Sequence, residues 1–382
     1  MKITSLETFL VPPRWLFLKI ETDAGISGWG EPVLEGRAET LAALIGELSD
    51  FLVGQDPRHI NDIWQMLYRN GGYRGGPVLM SAISGIDHAL WDILGQVHGV
   101  PAYALLGGAV RSRVRAYTWV GGDRPSDLVT HAKRAMASGF SAVKLNVCSE
   151  LAIVESHRAI DEIVARLGEL RSAVGNELDL AFDFHGRVHA PMARILLKEL
   201  EPLRPLFVED PVAADHVEAL AELSQSTSIP LAVGERMHTR GEFRALLESR
   251  GAQIINPDPS HMGGITETIR LGAFAESYDV ALAPHCPLGP IALAGCLQID
   301  AVCHNAFIQE QSLGMHYNQE SDLLDCVTED TRLICENGNI EIPTRPGLGI
   351  TIDEDQVRKL AETGHRWHAP VWRHVDGSIA EW

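Results

Sequence analysis

Residues 1–33 alternate apolar and polar positions and carry turn signals at "PPR" and "DAGIS", the pattern of a short antiparallel meander. Helical spacing follows over 36–53, 57–69 and 78–98. From about residue 113 the texture changes to short apolar runs separated by helical segments. The runs are 114–120, 141–146, 178–184, 205–210, 230–235, 252–258, 280–285 and 306–311. Eight strands alternating with helices predict an α/β fold with a (β/α)-type barrel, because crossover helices keep all strands parallel. The stretch 321–382 has no strong periodicity and is expected to fold back on the N-terminal region. The expected division is 1–112, 113–320 and 321–382.

The ends of these runs are not bland. Asp183, Glu209 and Glu235 each close a strand candidate, and 209 − 183 and 235 − 209 both give 26 residues, about one βα unit. Three consecutive strands therefore deliver a carboxylate to one rim. Such a cluster repels itself unless a cation sits among its members, and an all-oxygen donor set favours a hard divalent ion such as Mg²⁺, one per site. A single strand-end acid could equally cap the next helix.

The next two strand ends carry Asp258 and His285. On neighbouring strands, the carboxylate would bond one imidazole nitrogen and leave the other as a base. Asp183 and His185 are two residues apart, so strand alternation points both into one space. Two histidines flanking one metal would provide a base and an acid. The chain has 16 histidines, and His88, His98 and His131 receive an ordinary structural reading. Lys144 and Asn146 form an inward-facing pair on the second strand. Glu310 closes the eighth, where a protonated carboxyl would donate to a developing oxyanion. Arg14 and Trp15 in the first hairpin connection, and Tyr73 and Arg74 in "GGYRGGP", are candidates for contact with the far end of a substrate. Trp15 could as well pack a domain interface.

The bulk numbers narrow the partners. A formal net charge of −19 argues against nucleic acid and anionic membranes, and 45% hydrophobic residues is ordinary for a globular protein. Six cysteines without CxxC spacing read as free thiols in a reducing compartment, so the cytoplasm is expected. The apolar stretches of the N-terminus are too short for a membrane span. No phosphate-binding GxxxxGK[ST] motif occurs, and the glycines of "GWGEPV" read as turn residues. The HxH pair of a metal hydrolase is missing from the first barrel strand.

The set Lys144-x-Asn146, Asp183-x-His185, Glu209, Glu235, Asp258, His285 and Glu310 resembles the mandelate racemase subgroup of the enolase superfamily. Within it, "DFHGR", "VEDP", "GERM", "PHCPLGPIALA" and "PVWRHVDGSIAEW", with "YRGGP" and "WVGGDRP", are similar to the family of D-galactonate dehydratases along essentially the whole chain. The resemblance implies a modified (β/α)₇β TIM-like barrel, an α+β capping domain closing over its rim, and a homo-oligomer. It implies Mg²⁺-dependent dehydration of a sugar acid to a 2-keto-3-deoxy acid. Asp183, Glu209 and Glu235 would hold the metal, and Lys144 would stabilise the enediolate. His285, tuned by Asp258, would take the C2 proton; His185 would protonate the departing 3-hydroxyl; Glu310 would hydrogen-bond the enediolate. Asn146 stands where the racemases carry a second lysine base, which favours dehydration over racemisation. Asp210 stands where a second glutamate is more usual, so weaker support for the metal is expected. An epimerase or another sugar-acid dehydratase on the same rim, and a catalytically silent metal-bound relative, stay open.

Overall fold

The computed structural model describes residues 1–312 and 323–382; the expected boundary at 320/321 lies outside the described residues. Strands β1 (Ile3–Val11), β2 (Trp15–Thr22) and β3 (Ser27–Gly30) form an antiparallel meander. Helices Ala38–Leu52, Ile60–Arg69 and Pro77–His98 pack on it around a core that includes Leu18, Ile20, Leu41, Ile63, Ile86 and Ile93. The last helix starts with proline at its first turn and stops at Gly99, whose φ of +66° suits a residue without Cβ. Gly28 and Gly30 are not turn residues: they lie in β3, and a Cβ on either would run into the backbone of Ala89 or Gly85 on that helix. Close strand–helix packing, not a tight turn, fixes them.

The parallel strands are β4 (Arg113–Trp119), β5 (Ala142–Asn146), β6 (Asp179–Asp183), β7 (Phe207–Glu209), β8 (Leu231–Val233), β9 (Ile254–Ile255), β10 (Ala281–Leu282) and β11 (Gln309–Gln311). Each pairs with its successor from β4 to β10; β11 pairs with β4, and a parallel bridge from Leu282 to Ala306 completes the ring. A helix follows each strand from β4 to β10 and none follows β11 directly, among the described residues, which makes the barrel (β/α)₇β. The interior is a packed layer: Tyr117, Phe207, Ile254 and Ile308 interdigitate with Ala142, Ala181, Ala232 and Ala283.

The tail is more regular than its sequence suggests. Strands β12 (Cys335–Glu336) and β13 (Asn339–Glu341) form a hairpin, and β13 pairs antiparallel with the beginning of β4. Helix Glu354–Thr363 begins at Asp353, whose side chain accepts from the Gln356 amide. It returns to the meander through Arg358 on Glu7 at 2.6 Å and Glu354 on Lys19 at 2.8 Å. All six cysteines are free, five of them buried. Among the described residues no helix is long and apolar enough to cross a membrane.

Candidate active site

Two residues above the packed layer, the alternation of each strand brings a polar side chain into the barrel mouth. Lys144 follows Ala142, Asp183 follows Ala181, Glu209 follows Phe207 and Glu310 follows Ile308. Glu235 breaks the period. Gly234, at φ +155°, diverts the chain after β8, and a Cβ there would stand 2.8 Å from the Phe243 ring. His185 also leaves strand geometry, with φ +53°, so a turn and not alternation sets it beside Asp183. Its amide donates to Asp183 Oδ1 at 2.7 Å. Strands β9 and β10 end at Ile255 and Leu282, each three residues short of Asp258 and His285. Pro257 and Pro284 lack the amide a longer ladder would need. The His285 amide instead donates to the Pro257 carbonyl at 3.1 Å, which aligns the two loops.

Lys144, Asp183, His185, Glu235, His285 and Glu310 line a cavity of about 320 Å³ between barrel and cap, within the range of small-ligand sites, while Glu209 and Asp258 are not in its lining. Lys144 Nζ lies 2.6 Å from Glu209, 3.0 Å from Glu310 and 3.7 Å from Asp183. His285 Nδ1 is 2.8 Å from Asp258 Oδ2, and its Nε2 is 3.0 Å from Glu235. The Ser260 amide fixes the other Asp258 oxygen at 2.7 Å. His185 Nδ1 lies 3.1 Å from Arg236 Nη2, and arginine can only donate. His185 Nδ1 therefore accepts, and the proton sits on Nε2.

Burial dominates the electrostatics. It drives Glu209 well above the usual carboxylate range, and Asp183 up to about 6, although Lys144 opposes both. Asp210, fully buried and 3.5 Å from Arg236, rises to about 8 through burial and the neighbouring Glu235. Burial would lower Lys144 and His285, but Glu209 and Glu310 raise the lysine, and Glu235, Glu310 and Asp258 raise the histidine. For Glu235, His285 and Arg236 outweigh burial and bring it down. His185 is held well below its ordinary value by burial and then Arg236.

Asp183, Glu209 and Glu235 fit a hard cation by chemistry: all oxygen, deeply buried, with Glu209 Oε2 lacking any hydrogen-bond partner. Their oxygens lean on Lys144, His285 and Arg236, and among the described residues no three such side chains stand at ligand spacing. Donor type suits the ion; the spacing does not, and these side chains would have to shift to close the set.

Of the remaining expected residues, Asn146 and Arg14 line the cavity. Trp15, Tyr73 and Arg74 do not. Trp15 is fully buried in the hydrophobic core, and Tyr73 is 95% exposed. The cavity gains Glu35, Arg236, His238, His261 and Trp382, which the sequence reading missed. Arg236 carried a signal, sitting next to Glu235 in "GERM", and so did Trp382, the last residue of "PVWRHVDGSIAEW".

The enolase C-terminal domain-like model matches residues 127–356, and the mandelate racemase / muconate lactonizing enzyme N-terminal model matches 5–107. The chain is 58% identical to a D-galactonate dehydratase of Ralstonia nicotianae and 55% identical to one of Pectobacterium atrosepticum, each over 382 residues and all of both chains. An enolase-type structure from Agrobacterium radiobacter with bound Na and L-malate superposes at a TM-score of 0.91, with 32% identity over all of both chains. A mandelate racemase/muconate lactonizing enzyme from Sulfitobacter sp. superposes at 0.89, with 29% identity over the same full coverage.

Proposed function

This chain belongs to the mandelate racemase / muconate lactonizing enzyme family of the enolase superfamily, and we propose that it converts D-galactonate to 2-dehydro-3-deoxy-D-galactonate. It is a sugar-acid dehydratase, a carbon–oxygen lyase. The observation that carries the reading is the Asp258–His285 dyad at 2.8 Å, facing the same cavity as Lys144, Glu310 and His185.

A proton beside a carboxylate is very weakly acidic, because its removal gathers two negative charges on the former carboxyl group. A divalent cation, Mg²⁺ in this proposal, held by Asp183, Glu209 and Glu235 would supply electrostatic stabilisation to that carboxyl group. Lys144 adds a fixed ammonium from the barrel side. Asp258 holds the His285 ring through Nδ1 and turns Nε2 to the cavity; Nε2 takes the C2 proton once it has released the proton it holds toward Glu235, a release that a cation on Glu235 would favour. Glu310 accepts from the Cys286 amide at 3.1 Å and is paired with Lys144, so it donates to the enediolate only after taking up a proton. His185 turns Nε2 toward the leaving 3-hydroxyl and acts as its acid as the imidazolium, so Nδ1 must first leave the Arg236 hydrogen bond and take up a proton before Nε2 gives its own away. Asn146 bonds the Asp123 carbonyl at 3.2 Å and brings no second base to that side. The free thiols fit a cytoplasmic site of action, and a homo-oligomer is the expected assembly, checked by light scattering.

The test is incubation with Mg²⁺ and a panel of sugar acids, with a chelator control, assayed for 2-keto-3-deoxy product. Turnover of D-galactonate alone, abolished by chelation, supports the reading. Turnover of another acid keeps the chemistry and overturns the substrate. Exchange of the C2 proton without dehydration points to an epimerase, and neither to a silent scaffold.

A further inference from the structure

With the substrate carboxylate beside Lys144 and C2 beside His285, the rest of a six-carbon acid extends toward the cap. The cap presents Arg14, Leu34, Glu35 and Pro77 to the cavity. Resting on that reading, we infer that Glu35 sets the substrate class. Its carboxylate accepts a hydroxyl at the far end of the substrate, so an acid ending in a hydroxymethyl group is taken and a diacid ending in a second carboxylate is refused.

Glu35 lies in the connection after β3, with 19% of its side chain exposed. It is braced from both domains. On the cap side, Arg14 Nη2 stands 4.0 Å from Oε1. That guanidinium is stacked over the Trp15 and Trp367 rings, at 4.7 and 5.3 Å from their centroids, which fixes its position. On the barrel side, His261 Nε2 is 3.8 Å from Glu35 Oε2 and 3.7 Å from Asp258 Oδ2. The other His261 nitrogen meets the Ser81 hydroxyl of the cap at 2.9 Å. His261 thus stands between Glu35 and the dyad carboxylate, within ion-pair distance of both.

The consequence is one of sign. Among the described residues, Arg14 is the cap cation in the cavity lining and Glu35 the cap carboxylate, 4.0 Å apart; Asp258, 3.7 Å from His261, is not itself in the lining. A second substrate carboxylate brought here meets like charge in a partly desolvated space. A hydroxyl instead finds a fixed acceptor. Charge repulsion and an unpaired buried polar group discriminate more strongly than shape alone.

The experiment compares wild type and Glu35→Gln with D-galactonate and the corresponding diacid, D-galactarate, in Mg²⁺. Each acid is followed by 2-keto-3-deoxy product and by C2 proton exchange in D₂O. We expect wild type to prefer the aldonate by at least ~100-fold in kcat/KM, and Glu35→Gln to shrink that preference at least tenfold, chiefly through KM. Glu35→Asp, which keeps the charge, should keep the preference and serves if the glutamine variant does not fold. A folded variant lacking the carboxylate whose preference is unmoved overturns the assignment while leaving the proposed function intact. Loss of preference in the aspartate variant overturns it too. If wild type neither dehydrates nor exchanges either acid, the functional reading falls and takes this inference with it.

Discussion

Asp258 Oδ2 lies 2.8 Å from His285 Nδ1, and that contact decides which nitrogen of the ring faces the cavity. Both side chains come from loops beyond short strands, and the contact rests on the Ser260 amide, the His285 amide and two prolines, not on a sheet ladder. Asp258→Asn should preserve the fold and lower kcat by roughly 10²-fold or more with little change in KM, the range for losing an oriented base. Steady-state kinetics and a C2 exchange assay check it. An unchanged kcat would remove Asp258 from the mechanism.

Lys144 is the common counter-charge for Glu209, Glu310 and Asp183, and all four side chains are almost fully buried. Removing one partner of a buried ion pair costs about 3–5 kcal/mol. Lys144→Met should lower the unfolding free energy by that order in denaturant titrations, and abolish turnover. A variant as stable as wild type would show that the lysine charge is compensated elsewhere.

Mg²⁺ should raise the melting temperature in a concentration-dependent way, since a ligand of the folded state alone contributes about 2.7 kcal/mol at a hundred times its Kd. Differential scanning fluorimetry should show the shift in wild type and not in Asp183→Asn. Equal shifts in both proteins would place the ion elsewhere.

Asp87, on the cap helix Pro77–His98, is fully buried against the barrel, and burial pushes it up to about 7 despite its hydrogen bond from the Thr266 amide at 3.0 Å. A carboxyl whose folded value lies above its unfolded 3.8 takes up a proton on folding. Its contribution is present below pH 4 and is lost as pH rises toward 7. Asp87→Asn should therefore flatten the fall in stability across that window. An identical slope in the variant would mean that Asp87 does not titrate there.

The barrel was legible because its signals are local. The 26-residue interval gave the rim carboxylates, and apolar runs gave every barrel strand, although five of those strands are only two or three residues long. The Trp15, Tyr73 and Arg74 expectations fared differently. Loop residues in a cap reach a cavity only through the tertiary docking of the two domains, and Trp15 instead fills core while Tyr73 points to solvent. Glu35 and His261 were invisible for the same reason: they meet at 3.8 Å across 226 residues of chain, as 261 − 35 gives. Gly28 and Gly30 were misread because a close strand–helix approach leaves no mark in sequence that a turn does not also leave.

The central claim is the division of labour between two histidines. Wild type, His185→Asn and His285→Asn would be held with Mg²⁺ and D-galactonate in D₂O and followed by NMR. The account predicts that His185→Asn binds Mg²⁺ and still exchanges the C2 proton but forms no 2-keto-3-deoxy product, while His285→Asn does neither reaction. Loss of exchange in His185→Asn, or exchange persisting in His285→Asn, would contradict it.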